Sequence, residues 1–211
     1  MSRVIWPNLQ RNLVAILRGV KPDEIEGIVE SLLEAGFDAI EIPLNSPDPF
    51  NSIAKARALA PAEKLIGAGT VLTVENVAKL HDCGGNLVVT PNTNPAVISA
   101  AGERGMVTMP GAFTASEAFQ AIDAGASALK FFPASVLGPA GIGAIKAVMP
   151  ADIPLGAVGG VSDADFAAYL KVGVTCFGLG SSLYKPGDTA EVVTTKAKAA
   201  VAAYDKAVAA L

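Results

Sequence analysis

Short apolar runs alternate with amphipathic stretches along the whole chain. After a polar lead-in containing Trp6 and Pro7, residues 13–17 (LVAIL) read as a buried strand. Pro22, Asp23 and Glu24 then open a helix, because proline suits the first turn and acids suit the positive end of the helix dipole. That helix is predicted to run to Ala35, with Gly36 as its cap. The same cadence repeats. Strands are predicted at 39–44, 65–69, 87–90, 107–110, 128–132, 155–158 and 176–179. Each is followed by a helix: 49–59, 74–81, 96–103, 115–124, 142–148, 163–170, and a long Ala-rich helix ending near the last residue. Glycines mark helix ends at Gly36, Gly84, Gly105, Gly125 and Gly173. They recur at a spacing of roughly 20 to 25 residues, the length of a compact βα unit.

Eight such units predict an α/β fold of one domain over residues 1–211, a (β/α)8 TIM barrel. A doubly wound open sheet is the alternative, but it gives no reason for eight units this regular. No linker, low-complexity segment or second domain interrupts the pattern.

Composition narrows the function. The chain has 211 residues, 51% hydrophobic and 17% charged, which allows a large core and argues against disorder. The formal net charge of -4, with no basic run, argues against a nucleic-acid partner. Cys83 and Cys176 are far apart, and His81 cannot complete a metal site with them, so no metal and no cofactor is expected. A reducing cytoplasm is the expected setting. No basic segment leads into a long apolar one at the N-terminus, so no signal peptide is expected, and no apolar run has membrane-spanning length. His81, both cysteines and Trp6 read as structural.

A barrel carries its chemistry at the C-terminal ends of its strands. That rule collects Arg18, Glu41, Thr70, Pro91, Lys130, Gly159, Gly160 and Ser181 in one ring. Lys130 lies between apolar neighbours in ALKFFP (128–133). An ammonium in an apolar wall tends to lose its proton rather than stay charged, and a lysine of depressed pKa suits a Schiff base with a carbonyl substrate. The plainer alternatives are a carboxylate partner or a head group that reaches solvent. Glu41, in AIEIP (39–43), has equally apolar neighbours. A mere Glu41–Lys130 ion pair would stabilise little, because desolvation offsets most of the attraction. As a working pair, Lys130 forms an imine and Glu41 moves the protons.

Arg18 offers a guanidinium fork that suits a carboxylate, or equally a salt bridge at the barrel mouth. Thr70 offers a hydroxyl among small residues, or a strand-end cap. The glycine-bearing loops AVGGVS (157–162) and GLGSS (178–182) follow the seventh and eighth strands, where barrels commonly hold phosphate through backbone N–H groups. Two other readings stay open. One is a phosphate-binding barrel isomerase or epimerase that uses Glu41 without a covalent lysine. The other is a non-catalytic phospho-sugar-acid binding protein.

Eight ordered stretches carry a resemblance over residues 16–184: AILRG (15–19), EIPLNSP (41–47), GAGTV (67–71), VTPN (89–92), PGAFTASEA (110–118), KFFPAS (130–135), AVGGV (157–161) and GLGSSLY (178–184). Together they resemble the Schiff-base aldolases that cleave 2-keto-3-deoxy-6-phospho-sugar acids. The resemblance implies that Lys130 forms the imine and Glu41 is the general acid/base. It implies substrate contacts from Arg18, Thr70, Pro91, Phe132 and Val158, with Arg18 and Thr70 at the carboxylate end. It assigns phosphate binding to Gly159, Gly160, Ser162 and Ser181, and it implies a homotrimer. The family has a gluconate and a galactonate branch, whose substrates differ at the C4 hydroxyl. Pro43, Asn45, Ser135 and Val158 resemble the galactonate branch. The expected reaction is therefore cleavage of 2-dehydro-3-deoxy-6-phosphogalactonate to pyruvate and D-glyceraldehyde 3-phosphate, in D-galactonate catabolism. The gluconate epimer is the alternative substrate.

Overall fold

Parallel strands form a barrel in residues 3–211, the part of the chain that the computed structural model describes. The strands are β1 (Leu13–Ile16), β2 (Ala39–Pro43), β3 (Leu65–Gly69), β4 (Leu87–Val89), β5 (Val107–Met109), β6 (Gly111–Ala112), β7 (Leu129–Phe131), β8 (Leu155–Val158) and β9 (Cys176–Leu179). The helices are α1 (Ile25–Ala35), α2 (Pro49–Leu59), α3 (Val74–Asp82), α4 (Pro95–Gly102), α5 (Ala115–Asp123), α6 (Ala134–Lys146), α7 (Phe166–Lys171) and α8 (Ala190–Val208).

The sheet order is β5-β4-β3-β2-β1-β9-β8-β7-β6. Its two outer strands are consecutive in the chain, with Pro110 alone between them. The eight predicted strands are thus present, and the fifth is broken in two. Pro110 has no N–H to give to a ladder. Upstream of it β5 pairs with β4, and downstream β6 pairs with β7. The seam is held by the N–H groups of Ser127 and Ala128, which donate to Thr108 O at 3.2 and 3.0 Å, and by Lys130 N–H, which donates to Pro110 O at 2.8 Å. A further pair of hydrogen bonds joins Thr108 and Ser127, each side chain accepting from the other's backbone N–H at 3.0 Å.

Strand alternation divides the core into two layers. Leu13, Ala15, Ile40, Ile42, Leu129, Phe131 and Phe177 point outward, into the layer shared with the helices. Val14, Ile16, Ala39, Leu65, Val107, Met109, Val158 and Cys176 point inward and fill the barrel, with Trp6 packed among them. Trp6 Nε1–H donates to Asn12 Oδ1 at 2.9 Å, so its one polar atom is satisfied. α8 buries Val193, Ala197, Ala200, Tyr204 and Ala207 at helical spacing, and Arg11 ties it down with a two-pronged contact to Asp205.

Three helix starts differ from expectation; α7, predicted from 163, begins at Phe166, with a 3-10 turn over Asp163–Asp165 before it. Pro22–Glu24 form turns, and α1 begins at Ile25. α6 begins at Ala134, eight residues before the predicted 142. Its first turn ends at Gly138, whose φ of 65° and ψ of 169° are non-helical, and the helix resumes through Pro139. Gly-Pro reads in sequence as a loop. Here proline occupies the first turn of the resumed helix, where no N–H is needed.

Candidate active site

The alternation that builds the core also aims the chemistry. In β2 the inward positions are Ala39, Glu41 and Pro43, and in β7 the inward position is Lys130. Both charged side chains therefore enter the barrel because of their parity, and register gives them room. Glu41 lies beside Gly67 of β3. Lys130 lies between Gly111 of β6 and Gly156 of β8. Along β3, a Cβ on Gly69 would overlap the Glu41 carboxylate itself.

Burial sets the protonation. Glu41 is 1% exposed and Lys130 6%. Desolvation pushes the Glu41 carboxyl up to about 7, against the opposing pull of Lys130, Arg18 and a backbone hydrogen bond from Gly69. Desolvation also depresses the Lys130 ammonium; Glu41 works against that shift and Arg18 adds to it. Glu41 Oε2 is buried without a hydrogen-bond partner. Lys130 Nζ sits 4.8 Å from the centroid of the Phe132 ring. The pair thus shares a field inside the barrel, and burial disfavours the charged form of each group, the direction that nucleophilic amine chemistry and proton shuttling need.

Above them opens a cavity of about 540 Å3 at the C-terminal end of the barrel. Arg18, Lys130, Phe132, Val158, Gly159, Gly160 and Ser181 all line it. Arg18 is exposed at the rim, and its Nη1–H donates to Asn45 Oδ1 at 2.6 Å. The next residue is held in the same way: Gly19 N–H donates to Ser46 Oγ at 2.9 Å. Gly159 and Gly160 both have positive φ, 90° and 71°. A Cβ on Gly160 would stand 2.5 Å from Ser135 Oγ, so side chains are excluded there and the backbone is left open to the cavity.

Four expected residues lie outside the cavity lining. Glu41 is beneath it, in reach of Lys130 and Arg18 through their fields. Thr70 follows β3 with φ 57°, a left-handed conformation unusual for a β-branched residue and a mark of local strain. Pro91 follows β4, and its carbonyl fills the space a Cβ would take on Gly111. Ser162 is engaged elsewhere. Its N–H and hydroxyl both donate to Asp165 Oδ2, at 2.8 and 2.9 Å, in a capping box before α7.

Sequence reading missed six participants. Gly69 and Gly156 were not singled out, although small residues in adjacent strands are the trace of a long polar side chain needing space. Asn45 stood only as a branch marker, not as the partner of Arg18. Tyr184, Lys185 and Pro186 also line the cavity; Tyr184 ends the last matching stretch, and the other two lie just past it. Cys83 and Cys176 are free thiols, the latter buried with its pKa pushed up to about 12. Among the described residues no group of three His, Cys, Asp or Glu side chains is placed to share a metal ion.

Residues 8–197 match a family described as "Aldolase: KDPG and KHG aldolase". A protein of Rhizobium meliloti named probable 2-dehydro-3-deoxy-6-phosphogalactonate aldolase is 61% identical over 205 residues, 97% of each chain. The 2-dehydro-3-deoxy-6-phosphogalactonate aldolase of Escherichia coli K12 is 48% identical, over 93% of this chain and 96% of its own. A solved structure described as native KDPGal superimposes with a TM-score of 0.94 at 47% identity, covering 97% of this chain and 99% of that one.

Proposed function

The chain belongs to the KDPG and KHG aldolase family, and from that membership we propose that it is a class I aldolase cleaving 2-dehydro-3-deoxy-6-phosphogalactonate to pyruvate and D-glyceraldehyde 3-phosphate. The observation that carries the chemistry is the position of Lys130: buried, shifted toward the free amine, at the floor of the cavity and coupled to a buried Glu41.

In this reading the Lys130 amine attacks the C2 ketone, and Glu41 assists loss of water to give a protonated imine. Glu41 then takes the proton of the C4 hydroxyl. The C3–C4 bond breaks toward the imine, and D-glyceraldehyde 3-phosphate leaves. The enamine that remains is protonated at C3 and hydrolysed to pyruvate, which returns the free amine. Arg18 pairs with the carboxylate of the substrate, supported by its place at the rim and its anchor on Asn45. Thr70 and Pro91, at neighbouring strand ends, complete that side of the substrate site. Phe132 covers Lys130, and Val158 packs near C4. Gly159, Gly160 and Ser181 receive the phosphate. Ser162 serves it through the capping box that fixes the loop.

The branch assignment is supported by the two relatives named for the galactonate substrate and by Val158 in the lining. An apolar side chain gives no hydrogen bond to the C4 hydroxyl of the gluconate epimer. We further propose a homotrimer. Its support is the exposed apolar side chains of Leu72, Val74, Phe113 and Val136, close after the C-terminal ends of β3, β6 and β7. Two free thiols are in keeping with a reducing cytoplasm. Among the described residues no helix is long and apolar enough to cross a membrane.

Borohydride reduction in the presence of pyruvate, read by peptide mass spectrometry, tests the proposal. A pyruvate adduct on the Lys130 peptide is expected. An unmodified, folded protein would move the isomerase reading to the front. Lys130→Ala should keep the fold and lose nearly all activity, and activity within roughly tenfold of wild type would remove lysine from the mechanism.

A further inference from the structure

The phosphate end of the cavity has a charge deficit. Gly159, Gly160 and Ser181 offer backbone N–H groups and a hydroxyl, all neutral. A phosphate monoester is close to a dianion at neutral pH. Three cations line the cavity: Arg18, Lys130 and Lys185. Arg18 is given to the carboxylate, and Lys130 must be a free amine to react. Lys185 has no task in the reading above.

Lys185 is well placed to have one. It follows Ser181 by four residues in the loop after β9, and it is exposed and lines the cavity. Its backbone is pinned on two sides. Its N–H donates to Asp188 Oδ2 at 2.9 Å, and Asp188 N–H donates back to Lys185 O at 2.9 Å. Asp188 is held in turn by Lys196 of α8, with Nζ 2.6 Å from Oδ2. On the other side Pro186 lies against Gly19, where a Cβ would come within 2.8 Å of the proline ring. Asp188 takes its ion pair from Lys196, and among the described residues Lys185 forms none. Its charge is felt by Asp188, but no carboxylate of the described residues comes within ion-pair distance, so its ammonium is left to a ligand.

We propose that Lys185 is the counter-cation for the substrate's phosphate, carried on a turn that Asp188, Lys196 and Pro186 hold over the cavity. This rests on the aldolase reading and adds to it a residue that discriminates phosphorylated from unphosphorylated substrates. The cavity then matches its ligand at both ends, with Arg18 on the carboxylate and Lys185 on the phosphate.

The test compares wild type with Lys185→Gln and Lys185→Glu in the condensing direction, with pyruvate and either D-glyceraldehyde 3-phosphate or D-glyceraldehyde. Loss of one charge-assisted contact should raise KM for the phosphorylated aldehyde roughly tenfold to a hundredfold, and the Glu variant should do worse than the Gln variant. KM for glyceraldehyde should change little. Inhibition by inorganic phosphate should weaken in parallel. Borohydride trapping of pyruvate on Lys130 needs no phosphate and serves as the reference. If wild type traps no pyruvate, the aldolase reading itself fails. If trapping is intact and the variants either keep wild-type KM for both aldehydes or lose equally on both, the role of Lys185 is overturned.

Discussion

Gly69 and Glu41 occupy adjoining space so closely that a single added carbon on the glycine would overlap the carboxylate. Glu41 reaches its place only because β3 presents no side chain there. Gly69→Ala should therefore displace the carboxylate from the Lys130 amine. A misplacement of about 1 Å at a catalytic group is enough to cost about a hundredfold in rate. The expected outcome is a kcat lower by roughly that factor, with slower borohydride trapping of pyruvate and an unchanged circular dichroism spectrum. Wild-type kcat in Gly69→Ala would show that Glu41 need not sit where it does.

The same carboxylate makes stability depend on pH. Its folded pKa, about 7, lies above the ordinary 4.5, so the folded state holds the proton more tightly than the unfolded state. Stability from burying the neutral acid is full below pH 4.5 and is lost as pH rises through about 7. Glu41→Gln cannot ionise. The stability of wild type relative to Glu41→Gln should accordingly fall between pH 4.5 and pH 8, by up to about 3 kcal/mol if the whole shift is expressed. Urea titrations of both proteins across that range measure it. A difference that is flat with pH would mean that Glu41 is not held near neutrality. The rate profile should show a limb near pH 7 that belongs to the Lys130–Glu41 pair rather than to either residue alone.

Much of this was legible in the chain. The βα cadence predicted the barrel, and strand-end position singled out Glu41 and Lys130 before their burial was known. Three things were not legible. The break at Pro110 depends on which neighbour each half of the fifth strand meets, and pairing partners are not written locally. The early start of α6 was hidden because Gly138 and Pro139 look the same in a loop and in a helix that pauses and resumes. The partners of the candidate residues, Gly69 for Glu41 and Asn45 for Arg18, lie on other strands and loops. Only register and loop packing bring them together.

Arg18 depends on such a partner. It stands exposed at the rim, and the contact with Asn45 Oδ1 is what fixes its fork over the cavity. Asn45→Ala should free the side chain and leave its charge. The expected effect is a higher KM, by roughly tenfold, with kcat altered much less, since one hydrogen bond to a charged group contributes about 1.5 kcal/mol or more. Asn45→Asp keeps an acceptor in place and should recover KM. Steady-state kinetics on the three proteins decides it. Equal KM values would show that Arg18 is positioned by its own strand alone.

Val158 offers the sharpest test of substrate choice. It is 4% exposed, faces into the barrel from β8, and packs against Gly178, where a Cβ would come within 2.8 Å of its methyl groups. Threonine has nearly the same shape, so Val158→Thr adds a hydroxyl with little change in packing volume. In the native cavity that hydroxyl is missing, and a C4 hydroxyl pointing toward it would lose its hydrogen bond with water and gain none. A pocket that hydrogen-bonds a substrate hydroxyl separates it from the form lacking that contact far better than an apolar pocket can. The two epimers should thus be affected in opposite directions. Val158→Thr should raise kcat/KM for the gluconate epimer and lower it for the galactonate epimer, a combined shift of roughly tenfold or more for one hydrogen bond gained in a buried site. The ratio of the two kcat/KM values, measured on the same preparation, is insensitive to the fraction of active enzyme. A ratio that stays at the wild-type value would move the discrimination away from Val158 and toward the other positions that resemble the galactonate branch, Pro43, Asn45 and Ser135.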